Sequence, residues 1–378
     1  MNNIFESNFY SRQLSTLGND TMENIMKMKI LIIGIRGLGL EVAKNIILMG
    51  PKLVNIFDQS ICEIRDLSSN CFILEEHIGK IRRDKACLKQ LSKLNPYVKV
   101  NIIEKEEEIN ELIINYDFIV ITEMINKEKL FEINNICRKN KKGFIYSLCL
   151  GISGFIFNDF GNDHIIYNPL GKDKQTFFIT NISNDKKGIV TIDDNYNQSL
   201  FSTSSDYFLI DQIKGMEELN DSNNPKKINI INYKTFSIGD TSNYGKYISG
   251  GIMKEVFIPK HISFRSLEES FFEPISTEMK GQSLNIKCRK TELLYLTILA
   301  IHYYFSIHEK MPDINNYENV KEIIQLSKLI FETGNNRNWI LKIKTLDEDY
   351  ISNVARFAKC EISPICSFIG GIISQEIV

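Results

Sequence analysis

The sequence predicts a doubly wound α/β sheet interrupted by a small all-β insert and joined to a helical bundle. Three observations carry this. Short β-branched runs alternate with helical patterns over residues 28–160, regularly spaced short strand patterns fill 177–258, and a helical period takes over after about Lys290. Alternating strand and helix is the pattern of a parallel doubly wound sheet. Short strands separated by turn residues read as a small barrel or sandwich, and the 3.6-residue period reads as a bundle.

Taken in order, Lys29–Ile33 is a buried strand that runs directly into Gly34-Ile35-Arg36-Gly37-Leu38-Gly39. A helix from about Leu38 to Met49 follows, with Val42, Ile46 and Met49 on one face. Further strands are expected at Leu53–Asp58, Val98–Glu104, Phe118–Thr122 and Gly143–Leu150, with helices near Asp84–Leu94 and Lys127–Arg138. In the insert the strand patterns are Thr176–Ile182, Gly188–Ile192, Tyr207–Ile213, Lys227–Ile231, Thr235–Ile238 and Gly251–Ile258. Leu293, Leu296, Leu299 and Ile301 mark one later helix, Val320, Ile323, Ile324, Ser327 and Ile330 another, and Leu346–Phe357 a third. Ser363-Pro364 reads as an N-cap and first-turn pair, and the apolar Phe368–Val378 stops uncapped, the pattern expected of a fragment. The expected domains are 1–176, the insert 177–258, the bundle 259–350 and a return to the first domain over 351–378.

At roughly 150 residues per domain, 378 residues suggest two or three domains. With 43% hydrophobic and 24% charged residues the chain is globular. Forty-five basic against 47 acidic residues give a net charge of −2, which argues against a nucleic-acid binder working by bulk charge. The eight cysteines lie in apolar stretches with no Cys-x-x-Cys pair, the usage of buried thiols in a reducing compartment. There is no signal-peptide pattern, and the longest apolar run, Leu293–Ile307, is shorter than a bilayer needs. A cytoplasmic and nuclear protein without membrane contact is expected. The five histidines show no paired metal spacing, and Lys139–Lys142, Lys226-Lys227 and Glu104–Glu108 read as solvated charge runs on loops or helix ends.

The chemistry is concentrated in the glycine turn. Between a strand and a helix such a turn lets backbone N–H groups face a phosphate. Asp58, nineteen residues past Gly39, stands where an acidic residue would bond a ribose. The pattern here is Gly-x-x-Gly-x-Gly, however, and Arg36 occupies the place of the glycine that lets a pyrophosphate approach. A turn retained for packing and a working nucleotide site are both open on these residues. Arg36 either fills the vacated phosphate pocket beside a carboxylate such as Asp58 or is an exposed loop arginine.

Several segments resemble the amino-terminal half of ubiquitin-activating enzymes, in order and over essentially the whole chain. They are Tyr10-Ser11-Arg12-Gln13-Leu14, the Gly34–Gly39 turn, Asp66-Leu67-Ser68-Ser69-Asn70, Gly215–Asn220, Phe236–Asn243, Gly250-Gly251-Ile252, Ile262–Leu267 and Phe368–Glu376. The resemblance implies a Rossmann-like, ThiF-type sheet that has lost adenylation, with the insert as the first catalytic cysteine half-domain, contacting ubiquitin, and a four-helix bundle. Active halves of the family carry Asn-Leu-Asn-Arg-Gln, whose Asn and Arg hold ATP phosphates; Ser68 and Ser69 stand in their motif here. Arg82 aligns with the active lysine and Met124 with the magnesium-binding aspartate, a thioether being a poor ligand for a hard cation. The resemblance therefore implies no bound cofactor for Gly34, Arg36, Gly37, Gly39, Asp58, Ser68, Ser69, Arg82 and Met124, while the complete enzyme uses ATP and magnesium. It also implies that Arg12 crosses to the ATP of an active carboxy-terminal half, as an arginine finger. Implied partners are ubiquitin, that half and, indirectly, ubiquitin-conjugating enzymes, with self-association of the isolated piece through the vacant docking face. The alternatives are a stand-alone ATP- or NAD-dependent enzyme built on Gly34–Gly39 and Asp58, and an interaction module in which Arg12 has no role.

Overall fold

The computed structural model describes residues 9–168, 174–193, 200, 203, 205–221, 224–275, 289–313, 316–336 and 345–378. The chain divides into two compact units, Met1–Asn162 with Ser263–Val378, and Asp163–Ile262.

The first unit opens with helices α1 (Ser11–Leu17) and α2 (Asn19–Lys27), then β1 (Lys29–Ile33), α3 (Gly37–Met49) and β2 (Leu53–Phe57). It continues through α4 (Arg83–Leu94), β3 (Lys99–Ile102), α5 (Ile109–Leu112), β4 (Phe118–Ile121), α6 (Lys127–Lys139), β5 (Gly143–Leu150) and β6 (Ser153–Asp159). The sheet order is β3-β2-β1-β4-β5-β6. The first five strands are parallel, as the βα alternation requires. β6 corrects the expectation of a wholly parallel sheet: with no helical stretch after Leu150, the chain turns at Gly151 and returns antiparallel along β5. The acidic run is likewise not a loop, since Glu106–Glu108 form a 3-10 turn that leads into α5.

The strands of β1 and β4 are buried on both faces, which is why they read as continuous apolar runs. Ile30, Ile32, Val54, Ile56, Val120 and Ile145 pack one way, against α3, α4 and the last helix, α11 (Ser363–Ile377). Leu31, Ile33, Ile119, Ile121, Phe144 and Tyr146 pack the other way, against α6 and the helical region. That region comprises α7 (Leu267–Phe272), α8 (Arg289–His308), α9 (Tyr317–Asn336) and α10 (Glu348–Arg356). α11 brings Cys366, Ile369, Ile373 and Ile377 onto one face, and Gly370 lets it close on α3, where an added Cβ would stand 2.9 Å from the Glu41 Cβ. Ser363 is the first helical residue of α11 rather than its cap; Ile362 caps the helix without a side-chain bond, and Pro364 lies in the first turn.

The second unit is a seven-stranded antiparallel sheet in the order β11-β10-β14-β8-β9-β13-β12. The strands are β8 (Thr176–Ile182), β9 (Ile189–Ile192), β10 (Tyr207–Lys214), β11 (Lys226–Lys227), β12 (Asn229–Ile230), β13 (Thr235–Ser237) and β14 (Ser249–Glu255). The single strand expected at Lys227–Ile231 is instead split at the buried Ile228, whose N–H donates to the Asp206 carbonyl. Lys226–Lys227 pair with β10 while Asn229–Ile230 pair with β13, so one short segment supplies both edges and nearly closes a barrel. Phe177, Val190, Phe208, Ile210, Phe236 and Met253 fill it. β7 (His164–Ile166) and β15 (Lys260–Ile262) pair at the ends of the unit.

Two glycines separate packing from propensity. An added Cβ at Gly39 would fall 1.8 Å from the Gly34 carbonyl oxygen, whereas at Gly371 it meets nothing within 4 Å. Gly39→Ala should lower unfolding stability by about 3 kcal/mol. Gly371→Ala, inside a helix with open space, should raise it by about 0.5 kcal/mol. Urea unfolding of both variants checks the pair, and equal midpoints would contradict the packing of the turn.

Candidate functional site

In an open parallel sheet the ligand crevice lies beyond the carboxyl ends of the strands where the winding reverses, here between β1 and β4. The glycine turn leaves β1 at that point. Gly34 adopts φ +90°, and the Thr122 hydroxyl, at the end of β4, donates to its carbonyl at 2.8 Å. Arg36 is the N-cap of α3, and the helix begins at Gly37 with its first N–H groups pointing into the crevice.

A carboxylate of the chain itself meets those N–H groups. Glu361, buried just before α11, accepts from Leu38 N–H at 3.3 Å and from Gly37 N–H. Its side chain lies so close to the helix start that a Cβ at Gly37 would come within 2.8 Å of its Oε2 and 2.4 Å of Ser69. Arg36 closes over it. The guanidinium stands 3.6 Å from Glu361 and 3.5 Å from Asp66, and donates to the Lys359 carbonyl at 3.0 Å. Burial raises the Glu361 carboxyl above its usual range, opposed by Arg36 and by the two N–H groups.

Asp58 is not the partner of Arg36. It is buried and accepts from Ile35 N–H at 2.9 Å and Ser60 N–H at 3.0 Å, with Arg83 as its cation at 3.5 Å. Its oxygens thus hold the turn. Asp66 accepts from Arg83 at 2.7 Å and from Glu63 N–H at 2.8 Å. Asn70 donates to the Ile35 carbonyl at 2.8 Å, Ser69 packs on Gly37, and Ser68 bonds the Arg65 carbonyl at 2.7 Å. Arg82 is engaged with Asp84 at 2.5 Å and Glu104 at 3.2 Å. The segment 66–70 is therefore a wrapping around the glycine turn.

Met124 sits at the end of β4, where its sulfur accepts from the Tyr146 hydroxyl, itself bonded to His302 Nε2 at 2.9 Å. Burial lowers the His302 pKa to about 3, so it is neutral. Sequence reasoning missed the neighbouring Glu123. It faces a cavity of about 340 Å³ also lined by Arg36, Arg83, Cys149 and Glu361. Burial and then the nearby Asp58 push its carboxyl up to about 8. Its position directly after the predicted strand Phe118–Thr122 was the only available signal.

Tyr10 anchors the opposite, amino-terminal feature. Its ring is buried against Met22 and Ile25, and Gly50, at φ +92°, leaves room for its hydroxyl, which bonds Asn95 at 3.2 Å. Arg12 follows on the exposed side of α1, with no ion pair or side-chain hydrogen bond among the described residues. The expectation of buried thiols holds for Cys62, Cys87, Cys137, Cys149 and Cys366, but Cys71 is exposed and Cys360 half-buried; Cys288 lies outside the described residues. Cys71 follows Asn70, whose side chain is turned inward to the loop, so the next side chain faces out. Among the described residues no cluster of metal-ligating side chains occurs and no helix is long and apolar enough to cross a membrane.

A doubly wound sheet with a glycine turn at its switch point defines a nucleotide-fold protein, in which the chain's own Glu361 meets the first N–H groups of the helix after the turn. The chain belongs to the ThiF family, whose sequence profile matches residues 10–378. It is 32% identical over 375 residues to ubiquitin-like modifier-activating enzyme 1 of Oryctolagus cuniculus, covering 99% of this chain and 34% of the relative. The enzymes of that name from Homo sapiens and Dictyostelium discoideum are also 32% identical, over 377 and 373 residues, with 34% and 35% of their lengths covered. The chain spans about a third of the length of these relatives. Among solved structures, Escherichia coli MccB aligns over 39% of this chain and 47% of its own at 17% identity, with a TM-score of 0.35.

Two results are expected. Arg36→Ala strips Glu361 of its cation and should cost about 3 kcal/mol of stability, with part of the loss recovered when Glu361→Gln is added; additive losses in urea unfolding would contradict the clamp. Glu123 has a folded pKa above its unfolded value, so its stabilising contribution is present at low pH and lost as pH rises from about 4.5 toward 8. Glu123→Gln should therefore be more stable than the parent at pH 8.5 by about 2 kcal/mol and differ little at pH 5; unfolding at the two pH values checks the sign.

Proposed function

We propose that this chain is the amino-terminal, pseudo-adenylating half of a ubiquitin-activating enzyme. It is a scaffold for ATP-dependent ubiquitin adenylation and thioester formation by an active carboxy-terminal half, a ligase-type activity of the cytoplasm and nucleus. The observation that carries this reading is the Glu361 carboxylate on the first N–H groups of α3. A nucleotide phosphate placed there would meet a negative charge and would have to displace Arg36 from two carboxylates. The residues of this half do not fit ATP phosphates, and Met124 offers magnesium only a sulfur already bonded to Tyr146.

The role left to this half is to support. Arg12 is held outward by the anchored Tyr10 and has no partner of its own among the described residues, which suits a guanidinium that stabilises phosphate charge in a second domain. The Asp163–Ile262 unit takes the role of ubiquitin contact, and the active half passes ubiquitin to conjugating enzymes. The 32% identity along 99% of the chain to enzymes of this name supports the assignment.

Mixing this chain with the separately produced remainder of such an enzyme tests it. ATP–pyrophosphate exchange should need ubiquitin and both pieces, and Arg12→Ala should slow it about 10³-fold without changing the assembly seen by light scattering. Exchange by the remainder alone, or an unchanged rate with Arg12→Ala, would contradict the proposed division of labour.

A further inference from the structure

The cavity of about 340 Å³ at the switch point carries an uneven set of charges. Its three guanidiniums already have counter-charges from the chain. Arg83 stands 2.7 Å from Asp66 and 3.5 Å from Asp58, Arg65 stands 2.7 Å from Glu63, and Arg36 lies between Asp66 and Glu361. Glu123 and Glu309 also line the cavity, and their side chains make no hydrogen bond or ion pair among the described residues. Two carboxyl groups are thus in excess of a lining that is otherwise balanced.

Both are held in place by the backbone. Glu123 follows β4 and packs over the glycine turn, where a Cβ at Gly34 would stand 3.0 Å from its own Cβ. Glu309 ends α8 at φ +51°, its N–H donating to the Phe305 carbonyl at 2.8 Å, so the carboxyl end of that helix borders the same cavity. The partial negative charge of a helix carboxyl end favours a cation. The uncharged part of the lining is apolar and polarisable: Met124, Leu148, Phe305 and Met311. Aromatic and thioether surfaces beside free carboxylates suit an organic cation. They suit a hard metal ion poorly, and no cluster of three metal-ligating side chains occurs among the described residues.

We propose that this cavity is a binding site for a small organic ammonium, a primary amine on a short apolar stem. Glu123 is its inner counter-charge, the exposed Glu309 stands at the entrance, and the stem lies against Phe305 and the two methionines. Binding then has a protonic signature. Burial and next Asp58 raise the Glu123 carboxyl, Arg83 and Arg36 oppose them, and Glu106 adds a further like charge, which together bring it up to about 8. An ammonium beside Glu123 favours the ionised form, so near neutrality the incoming cation expels the Glu123 proton.

Calorimetric titration of the full chain with isoamylammonium chloride tests this, with isoamyl alcohol and magnesium chloride as comparisons. The amine should bind at one site, about 10-fold more tightly than the alcohol of the same skeleton. In buffers of different ionisation enthalpy it should release about one proton at pH 7 and almost none at pH 9.5. Glu123→Gln should weaken binding about 10-fold and abolish the proton release, whereas Glu309→Gln, at an exposed position, should weaken it about 3-fold and keep the release. Absence of saturable heat at tens of millimolar amine, or equal binding of the alcohol, would overturn the proposal. So would displacement of the amine by magnesium, binding at pH 7 without proton release, or binding that neither Glu variant changes.

Discussion

The pairing of the Glu361 carboxylate with the first N–H groups of α3, under Arg36, is the contact on which the first unit turns. A helix N-terminus left bare in a crevice demands an anion, because its first donors lack partners inside the helix. This chain supplies the anion from the segment that leads into α11. The same contact brings α11 back onto the sheet beside α3, where Gly370 permits close approach. Site chemistry and tertiary closure are therefore one arrangement.

The cost of burying these charges is met by a network rather than by one pair. Arg36 bridges Glu361 and Asp66, while Arg83 joins Asp66 to Asp58, and Asp58 holds the turn through Ile35. Removing one member strands another away from water, which is why such networks resist piecemeal change. Glu123 stands apart: it borders the same cavity with no ion pair among the described residues, and burial favours its neutral form.

Much of the fold was legible because local rules and tertiary needs agree. The apolar runs at Lys29–Ile33 and Phe118–Thr122, the glycine turn and the period of residues 293–330 each follow from burial pattern alone. β6 and the split at Ile228 were not, since antiparallel return and barrel closure depend on what the chain meets after a turn. At the site, Arg36 marked a departure from the usual glycine pattern, but its partners could not be read: Arg36 and the Lys359 carbonyl to which it donates are 323 residues apart in sequence. Asp58 illustrates the same limit, with the spacing of a ribose ligand and the hydrogen bonds of a loop brace.

The most direct test is calorimetric titration of this chain with ATP and magnesium, alongside Glu361→Ala with Arg36→Gly. If the chain's own carboxylate fills the phosphate position, the parent gives no binding heat at millimolar nucleotide. Stoichiometric binding by the parent, with heat unaffected by the paired substitution, would contradict the account.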